Sequence, residues 1–223
     1  MLAAGLAAGA VVALSGCGAL HPGTAAVIGS TTISHDNVDG LAEALCTANV
    51  KGAQAQGDSR QFATRGTREG ALQVLLESRL SQLFGEEKGV DPNRQMVSQA
   101  LAQNETLIAD LPASEREDYR EALEEYAEGQ LMLIEIGRQS LEEQGTSDVT
   151  DDKAIAEGQR LRGEFTENLD VEIDPRYGSF TDNTLKPGGT SLSVAQSADA
   201  RAGDKPQPGA DFISALPSSQ RCS

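Results

Sequence analysis

The segment Thr67–Lys88, TREGALQVLLESRLSQLFGEEK, decides the fold class of this chain. Its large apolar side chains recur at intervals of three and four residues, at Leu72, Leu75, Leu76, Leu80, Leu83 and Phe84. This spacing places them on one broad stripe of an α-helix, and Gly89 ends the pattern. Because other elements must cover so long an apolar stripe, the segment predicts one helix of a packed helical domain.

Four further segments carry the same helical period, one before this helix and three after it. Their predicted bounds are about Ser34–Ala48, Asp91–Leu111, Ser114–Glu143 and Asp151–Leu169. Ser34 and Asp36 can cap the first of them. Asp91 and Pro92 are typical of an N-cap and the first helical residue, and Ser114 with Glu117 forms a capping-box pattern.

Short apolar segments at the two ends of this helical part, Ala25–Ile28 and Val171–Ile173, are strand candidates. Residues 47–66 are polar and rich in glycine, which indicates a loop. From Ser179 onward the chain has little to bury, which predicts disorder. The predicted division is a signal peptide over 1–16, a tether over 17–24, a helical domain over 25–178 and a flexible tail over 179–223.

The charge balance is strongly acidic. The chain has 34 Asp and Glu residues against 18 Lys and Arg residues, a formal net charge of −16. Such a surface has no basic patch for phosphates, so nucleic acid is not expected as a partner. Anionic lipid headgroups would also repel it, so any attachment to a membrane has to come from a lipid anchor.

The tetrapeptide Leu14-Ser15-Gly16-Cys17 follows an apolar N-terminal run. It resembles the lipobox of bacterial lipoproteins, in which an aliphatic residue and two small residues precede a cysteine. The resemblance implies that residues 1–16 are removed and that Cys17 carries a diacylglyceryl group and a fatty acyl chain such as palmitate. The expected location is therefore the extracytoplasmic face of the bacterial cell membrane, with the lipid on Cys17 as anchor.

The apolar run Leu2–Leu14 suits a signal peptide, because a membrane-spanning helix needs about 20 apolar residues. Residues 1–16 contain no Lys or Arg, whereas a secretory signal normally begins with a basic segment. The expectation is that translation starts upstream of Met1. The alternative is a start rich in alanine and glycine with a chance cysteine.

Two cysteines remain beyond the lipobox, Cys46 and Cys222. A pair of cysteines in an exported protein favours a disulfide, because that compartment is oxidising. The alternative is two unpaired thiols. No metal site is expected, since His21 and His35 lie near the N-terminus without ligand spacing to either cysteine, and no cofactor is expected.

The order of elements, together with three segments, resembles the N-terminal chaperone domain of the SurA/PrsA type. Ala26–Ser34, AVIGSTTIS, is similar to its opening strand and turn, and Val171–Phe180, VEIDPRYGSF, is similar to its closing strand. The segment Leu75–Val90 is similar to its second helix. The resemblance covers roughly residues 25–180. It implies that the first strand pairs with the last and that the helices surround a groove for unfolded polypeptide.

In that family a parvulin prolyl-isomerase domain is often inserted before the last helix. Here this position holds only Gln144–Thr150, which is too short for the insertion. Neither histidine of the chain lies in the corresponding region. The resemblance therefore implies a chaperone part without isomerase activity, and a mainly α fold closed by the small pairing of its N- and C-terminal strands.

The sequence contains no catalytic motif that stands out, such as Gly-x-Ser-x-Gly, so the protein is not expected to be an enzyme. The adjacent acids Glu124-Glu125 and Glu142-Glu143 splay apart on a helix and are interpreted as solvated faces. Two pairs of residues keep two interpretations each. Met96 and Met132 either line an adaptable groove or fill the core. Arg176 and Tyr177 either contact a client or form a closing turn, in which Tyr177 packs on the helices and Arg176 pairs with an acid.

These observations lead to two functional hypotheses. The first is a lipid-anchored chaperone-like protein that holds exported unfolded polypeptides without catalysis, on apolar helical stripes that are only partly covered. The alternative is a structural or interaction lipoprotein that docks one defined partner in the cell envelope. A nutrient-binding protein fits poorly, because the alternation of strands and helices in two-lobed α/β proteins is missing.

Overall fold

A computed structural model describes residues 22–186, 196–203, 205 and 208–222 of the chain. The protein is mainly helical with small antiparallel sheets, as the sequence predicts. In chain order the elements are β1 (Thr24–Ile28), β2 (Thr31–Ser34), α1 (His35–Ala55), α2 (Thr64–Lys88), α3 (Arg94–Asp110), α4 (Arg116–Glu143), α5 (Asp151–Thr166), β3 (Val171–Ile173), β4 (Ser179–Thr181), β5 (Thr184–Lys186), α6 (Ala198–Gly203) and α7 (Ala210–Ala215), followed by a 3₁₀ turn at Ser218–Gln220.

The strand β1 is the centre of a three-stranded antiparallel sheet of order β2-β1-β3. All five of its residues are buried, and Val27 lies opposite Glu172 of β3. The predicted pairing of the first strand with the closing strand is therefore confirmed. The sequence did not predict β2, because only Ile33 of its four residues is buried and so short a strand shows no alternating pattern.

The main core lies between this sheet and the helices α1, α2 and α4. Its largest buried residues are Ile28, Ile33, Val38, Leu41, Leu72, Leu76, Leu80, Tyr177 and Leu185. A second, smaller cluster joins α2 to α4 through Phe84, Leu133 and Ile136. The ring of Phe165 in α5 packs against Phe84 with their centroids 5.3 Å apart. The amphipathic stripe of α2 thus contributes to both clusters.

The helices α4 and α5 approach each other through two glycines. A Cβ atom on Gly137 would lie 1.9 Å from the carbonyl oxygen of Ala154, and one on Gly158 would lie 2.1 Å from that of Leu133. No side chain fits between backbones at these distances. The two glycines therefore determine how closely α5 packs on the centre of the domain.

Several helix ends differ from their predicted positions. The helix α1 continues to Ala55, seven residues beyond the predicted end at Ala48, and Ala53 is buried in this extension. The N-cap of α3 is Asn93, whose side chain accepts hydrogen bonds from two backbone amides. The helix therefore begins after Pro92, so the prediction of Asp91 as N-cap and Pro92 as first helical residue is wrong.

The helix α4 also begins differently from the prediction. Its N-cap is Glu115, and no side chain caps the backbone there, so the capping box of Ser114 and Glu117 does not form. Instead, Arg116 donates hydrogen bonds to the carbonyl oxygens of Ala109 and Leu111 at the end of α3. The capping box predicted from the spacing of Ser114 and Glu117 is therefore wrong, and the start of α4 is instead attached to the end of α3 by Arg116.

Residues 179–186, which the sequence assigned to the flexible tail, form a hairpin of β4 and β5. Its turn residues Asp182 and Asn183 have positive φ angles of 52° and 58°, which suits the tight turn of a two-residue hairpin. Leu185 is buried in the main core, and its amide donates to Gln73 of α2. The expectation of disorder is wrong here, because one buried leucine and its hydrogen bond attach the hairpin to α2.

The C-terminal end returns to the connection between α1 and α2. The amide of Cys222 donates to the carbonyl oxygen of Phe62 at 2.9 Å, and Arg221 forms an antiparallel bridge with Ala63. The Cα atoms of Cys46 and Cys222 are 5.1 Å apart and their sulfur atoms 1.94 Å apart, a separation that permits a disulfide. The structure thus brings together the two cysteines that the sequence paired.

Replacing Gly158 by alanine should lower the free energy of unfolding by about 1–3 kcal/mol, because the new methyl group overlaps the backbone of α4. Gly70 in α2 is the matched control, since no atom lies near its Cβ position. The Gly70→Ala variant should gain about 0.5–1 kcal/mol from the better helix propensity of alanine. Urea unfolding followed by circular dichroism measures both, and a Gly158→Ala protein as stable as the wild type would refute the close packing.

Mass spectrometry of unreduced peptides should find Cys46 joined to Cys222, because the backbone holds the two thiols at bonding distance in an oxidising compartment. Reduction should lower the free energy of unfolding by about 5 kcal/mol in the chain-entropy description, since the closed loop is long. The Cys17→Ser variant serves as the starting protein, because only this pair then remains. Complete alkylation of both thiols without reduction would show that the bond is absent.

Candidate functional site

The residues predicted for the membrane anchor lie outside the part of the chain that the structure describes. These residues are Cys17 and the preceding residues 1–16. His21, which the sequence analysis considered as a metal ligand, also lies outside the described part. Among residues 22–186, 196–203, 205 and 208–222, no helix is long and apolar enough to cross a membrane. Within the same ranges, no group of three or more His, Cys, Asp or Glu residues could hold a metal ion.

The apolar stripe of α2 is largely covered. Leu72, Leu76 and Leu80 are at most 1% exposed, because the sheet, α1 and α4 pack on them. Leu75 and Leu83 of the same stripe are only partly buried, so the open part of the stripe is small. Met132 of α4 is 5% exposed, and the most exposed large hydrophobic side chain among the described residues is Met96, at 45%.

Arg176 and Tyr177 belong to a polar cluster that closes the domain. The guanidinium of Arg176 donates to the carboxylate of Asp174 at 2.7 Å and keeps the pKa of Asp174 below its usual value. The same carboxylate lies 3.2 Å from Nε2 of His35, and Nδ1 of His35 lies 3.0 Å from the hydroxyl of Tyr177. With Tyr177 buried, the geometry agrees with the closing-turn interpretation rather than with a client contact.

A cleft of about 110 Å³ opens between β2, α1, α2 and α4. Apolar side chains from each of these four elements line it: Ile33, Leu41, Leu75 and Ala122. Leu75 is half-buried and the other three are buried. The lining residues include no histidine, cysteine or serine.

The rim of the cleft is acidic. It carries the carboxylates of Asp118, Glu121 and Glu125, all on α4, and the guanidinium of Arg79 from α2. Arg79 lies 3.8 Å from Glu125, yet burial raises the pKa of Glu125 above its usual value. Asp118 and Glu121 form no ion pair with any residue in the described ranges. The rim therefore keeps an excess of negative charge.

The strand β2 borders this cleft and is an edge strand within the described part of the chain, where it pairs with β1 alone. Ile28 and Thr31 close a two-residue turn, and the closing pair of such a turn is hydrogen-bonded across the hairpin. The backbone N–H and C=O of the next residue, Thr32, then point away from β1. Thr32 is exposed and lines the cleft, so polar backbone groups of a sheet edge lie beside the acidic rim.

A second, wider depression lies near Cys222. It has a volume of about 440 Å³ and is lined by the end of α1 and the connection after it, including Asp58 and Arg60. These two side chains pair with each other at 2.7 Å. Because Asp58 and Arg60 neutralise each other, this depression presents no unbalanced charge to a ligand. The cleft beside β2 is therefore the stronger candidate for a binding site.

Sequence reasoning did not find the cleft. It interpreted Glu124-Glu125 as part of a solvated face, whereas Glu125 is half-buried at the rim. The available signal was the spacing of Asp118, Glu121 and Glu125, which are three and four residues apart and so share one face of a helix. That spacing does not show which residues of β2 and α2 line the cleft together with these acids.

Compared with known proteins, the chain matches no family model, no curated protein and no solved structure at a significant level.

Proposed function

We propose that the protein binds a polypeptide segment of a partner in the cell envelope, without catalysis, while a lipid on Cys17 anchors it to the membrane. The observation that carries this proposal is the free edge of β2 beside the cleft. The unpaired backbone groups of an edge strand can accept an added extended chain, and a neighbouring cleft can select its side chains.

The coverage of the core favours one defined partner over many unfolded clients. A protein that holds unfolded chains needs a contiguous apolar surface, whereas Met96, at 45%, is the only large hydrophobic side chain in the described ranges that is exposed rather than partly or fully buried. The cleft is also small and bordered by charges. Binding to such a site depends on complementary backbone and charge contacts, which are selective.

Chaperone-like holding of exported polypeptides is the second candidate. It is supported by the antiparallel pairing of β1 with β3 around a helical body, the arrangement that the resemblance to the SurA/PrsA type implies. In this function the edge of β2 would accept extended segments of many chains through backbone hydrogen bonds, which do not depend on sequence. The two candidates therefore share a surface and differ in the number of partners.

The anchor rests on the lipobox Leu14-Ser15-Gly16-Cys17 and on its position in the chain. The first strand of the described part begins at Thr24, only seven residues after Cys17. Because no helix in the described ranges could span a membrane, these ranges offer no competing anchor of that kind.

The Cys17→Ser variant should lose its lipid and remain largely unprocessed, because the thiol is the acceptor of the diacylglyceryl group. The wild-type protein, expressed in a bacterial host with its signal segment, should partition into the detergent phase and carry fatty acids. Cys46→Ser is the matched control and should remain lipidated. A Cys17→Ser protein that still carries lipid would refute the anchor.

Isolation of the lipidated full-length protein from envelope extracts, after cross-linking in cells, should recover one partner in stoichiometric amount. The same protein should leave the aggregation rate of a reduced model protein unchanged, because its apolar surface is covered. Many substoichiometric partners, together with slower aggregation, would favour the chaperone candidate. No partner and no effect on aggregation would refute both.

A further inference from the structure

We propose that the cleft beside β2 recognises an extended partner segment that carries lysine or arginine. This inference rests on the proposed function, since it presupposes that a polypeptide binds at the β2 edge, and it adds the chemistry of the segment. It is carried by three observations about this place: the free strand edge, the apolar lining of the cleft and the unbalanced charge at its rim.

The strand edge determines the shape of the occupant. A segment paired with β2 would exchange backbone hydrogen bonds with Thr32 and run along the mouth of the cleft. In an extended chain, successive side chains point to opposite faces. Alternate side chains of the segment would therefore face the cleft side, where one of them can enter, while those between them face solvent.

The size and lining of the cleft determine the side chain. Its volume of about 110 Å³ is well below the roughly 300–1,000 Å³ of sites that enclose a small-molecule ligand, so it suits a single side chain. Leu41 and Leu75 can contact an aliphatic stem, and the carboxylates at the rim can receive a charged head. Lysine and arginine combine these two parts.

The charge of the rim determines the sign of that head. Of the three carboxylates, only Glu125 has a cationic neighbour, Arg79. Asp118 and Glu121 therefore leave two formal negative charges without an ion pair in the described ranges. An acidic side chain would be repelled by them and a neutral one could at most donate a hydrogen bond, whereas a cation gains a charge attraction that the half-buried setting of Glu125 strengthens.

Other occupants fit this place less well. A second copy of the chain would bring a net charge of −16 of its own, so the two surfaces would repel each other. Nucleic acid is disfavoured for the same reason. A metal ion is disfavoured because no group of three or more possible ligands is found in the described ranges.

The test measures the binding of short synthetic peptides to the detergent-solubilised full-length protein by fluorescence anisotropy. A peptide of alternating valine and lysine should bind, whereas peptides in which glutamine or glutamate replaces lysine should bind at least about tenfold more weakly. Binding should also weaken as salt is raised, because the rim is in contact with solvent.

The variant Asp118→Asn/Glu121→Gln should reduce affinity for the lysine peptide by about tenfold, since two exposed charge pairs are lost. The matched control is Glu142→Gln/Glu143→Gln, which removes two negative charges from exposed positions at the other end of α4. The control should bind as the wild type does. Equal losses in both variants would show that only the overall acidity attracts the peptide, and would overturn the inference.

A second variant, Thr32→Pro, tests the strand edge, because proline removes the outward N–H of β2. It should lose binding of the lysine peptide while its circular dichroism and thermal unfolding remain those of the wild type. If Thr32→Pro is misfolded, protection of the Thr32 amide from hydrogen exchange by the peptide provides the same test in the wild-type protein. An amide that gains no protection would overturn the inference.

The outcomes separate this inference from the proposed function. A partner recovered from the envelope that the lysine peptide does not displace leaves the proposed function intact and refutes the inference. If neither a partner nor any peptide binds, the proposed function fails as well. Displacement of the partner by the lysine peptide, but not by the glutamine peptide, supports both.

Discussion

The pairing of β1 with β3 is the interaction on which the rest of the structure depends. It joins residues 26–28 to residues 171–173, so one short ladder closes a loop that contains all five long helices. Every residue of β1 is buried, and its outer neighbour β2 leads directly into α1. Closure of so long a loop is entropically costly, and the burial of Ile28 and Ile33 in the main core is part of what offsets that cost.

Side-chain contacts around Asp174 further stabilise the pairing of β1 with β3. Asp174, directly after β3, donates its backbone N–H to Ala25 and accepts a hydrogen bond from Arg176 while lying close to His35. Tyr177 continues this connection from the closing turn to the first residue of α1. Because the cluster joins the start of α1 to the turn after β3, it restrains the edge strand that precedes α1. The cleft beside β2 therefore depends on contacts made by residues far along the chain.

The parts of this fold that the sequence predicts are those with a strong local pattern. The stripe of α2, with Leu72, Leu76 and Leu80, has the period of a helix and is buried as that period requires. Ser34 caps α1 through its hydroxyl, as expected for a serine at this position. In each case the information lies within a few neighbouring residues, which is why it can be read without a structure.

The parts that the sequence does not predict depend on contacts between distant segments. The hairpin of β4 and β5 lies in a stretch whose composition indicates disorder, and it is held by Leu185 against α2. The close approach of Gly158 in α5 to the backbone at Leu133 could not be read from the sequence of one helix. The cleft is the same kind of feature, because β2 and three helices each contribute part of it.

The short connection between Cys17 and the folded part links the proposed anchor to the proposed binding site. Seven residues, fully extended, span at most about 25 Å, so a lipid on Cys17 would hold Thr24, the first residue of β1, within that distance of the membrane surface and keep the neighbouring edge of β2 near it. A partner in the same membrane would then meet the cleft at a high effective concentration. A contact of a few backbone hydrogen bonds and one charged side chain, which is weak in solution, can be sufficient under that confinement. The small size of the cleft is therefore compatible with binding at the membrane, and it favours partners held there over chains that diffuse freely.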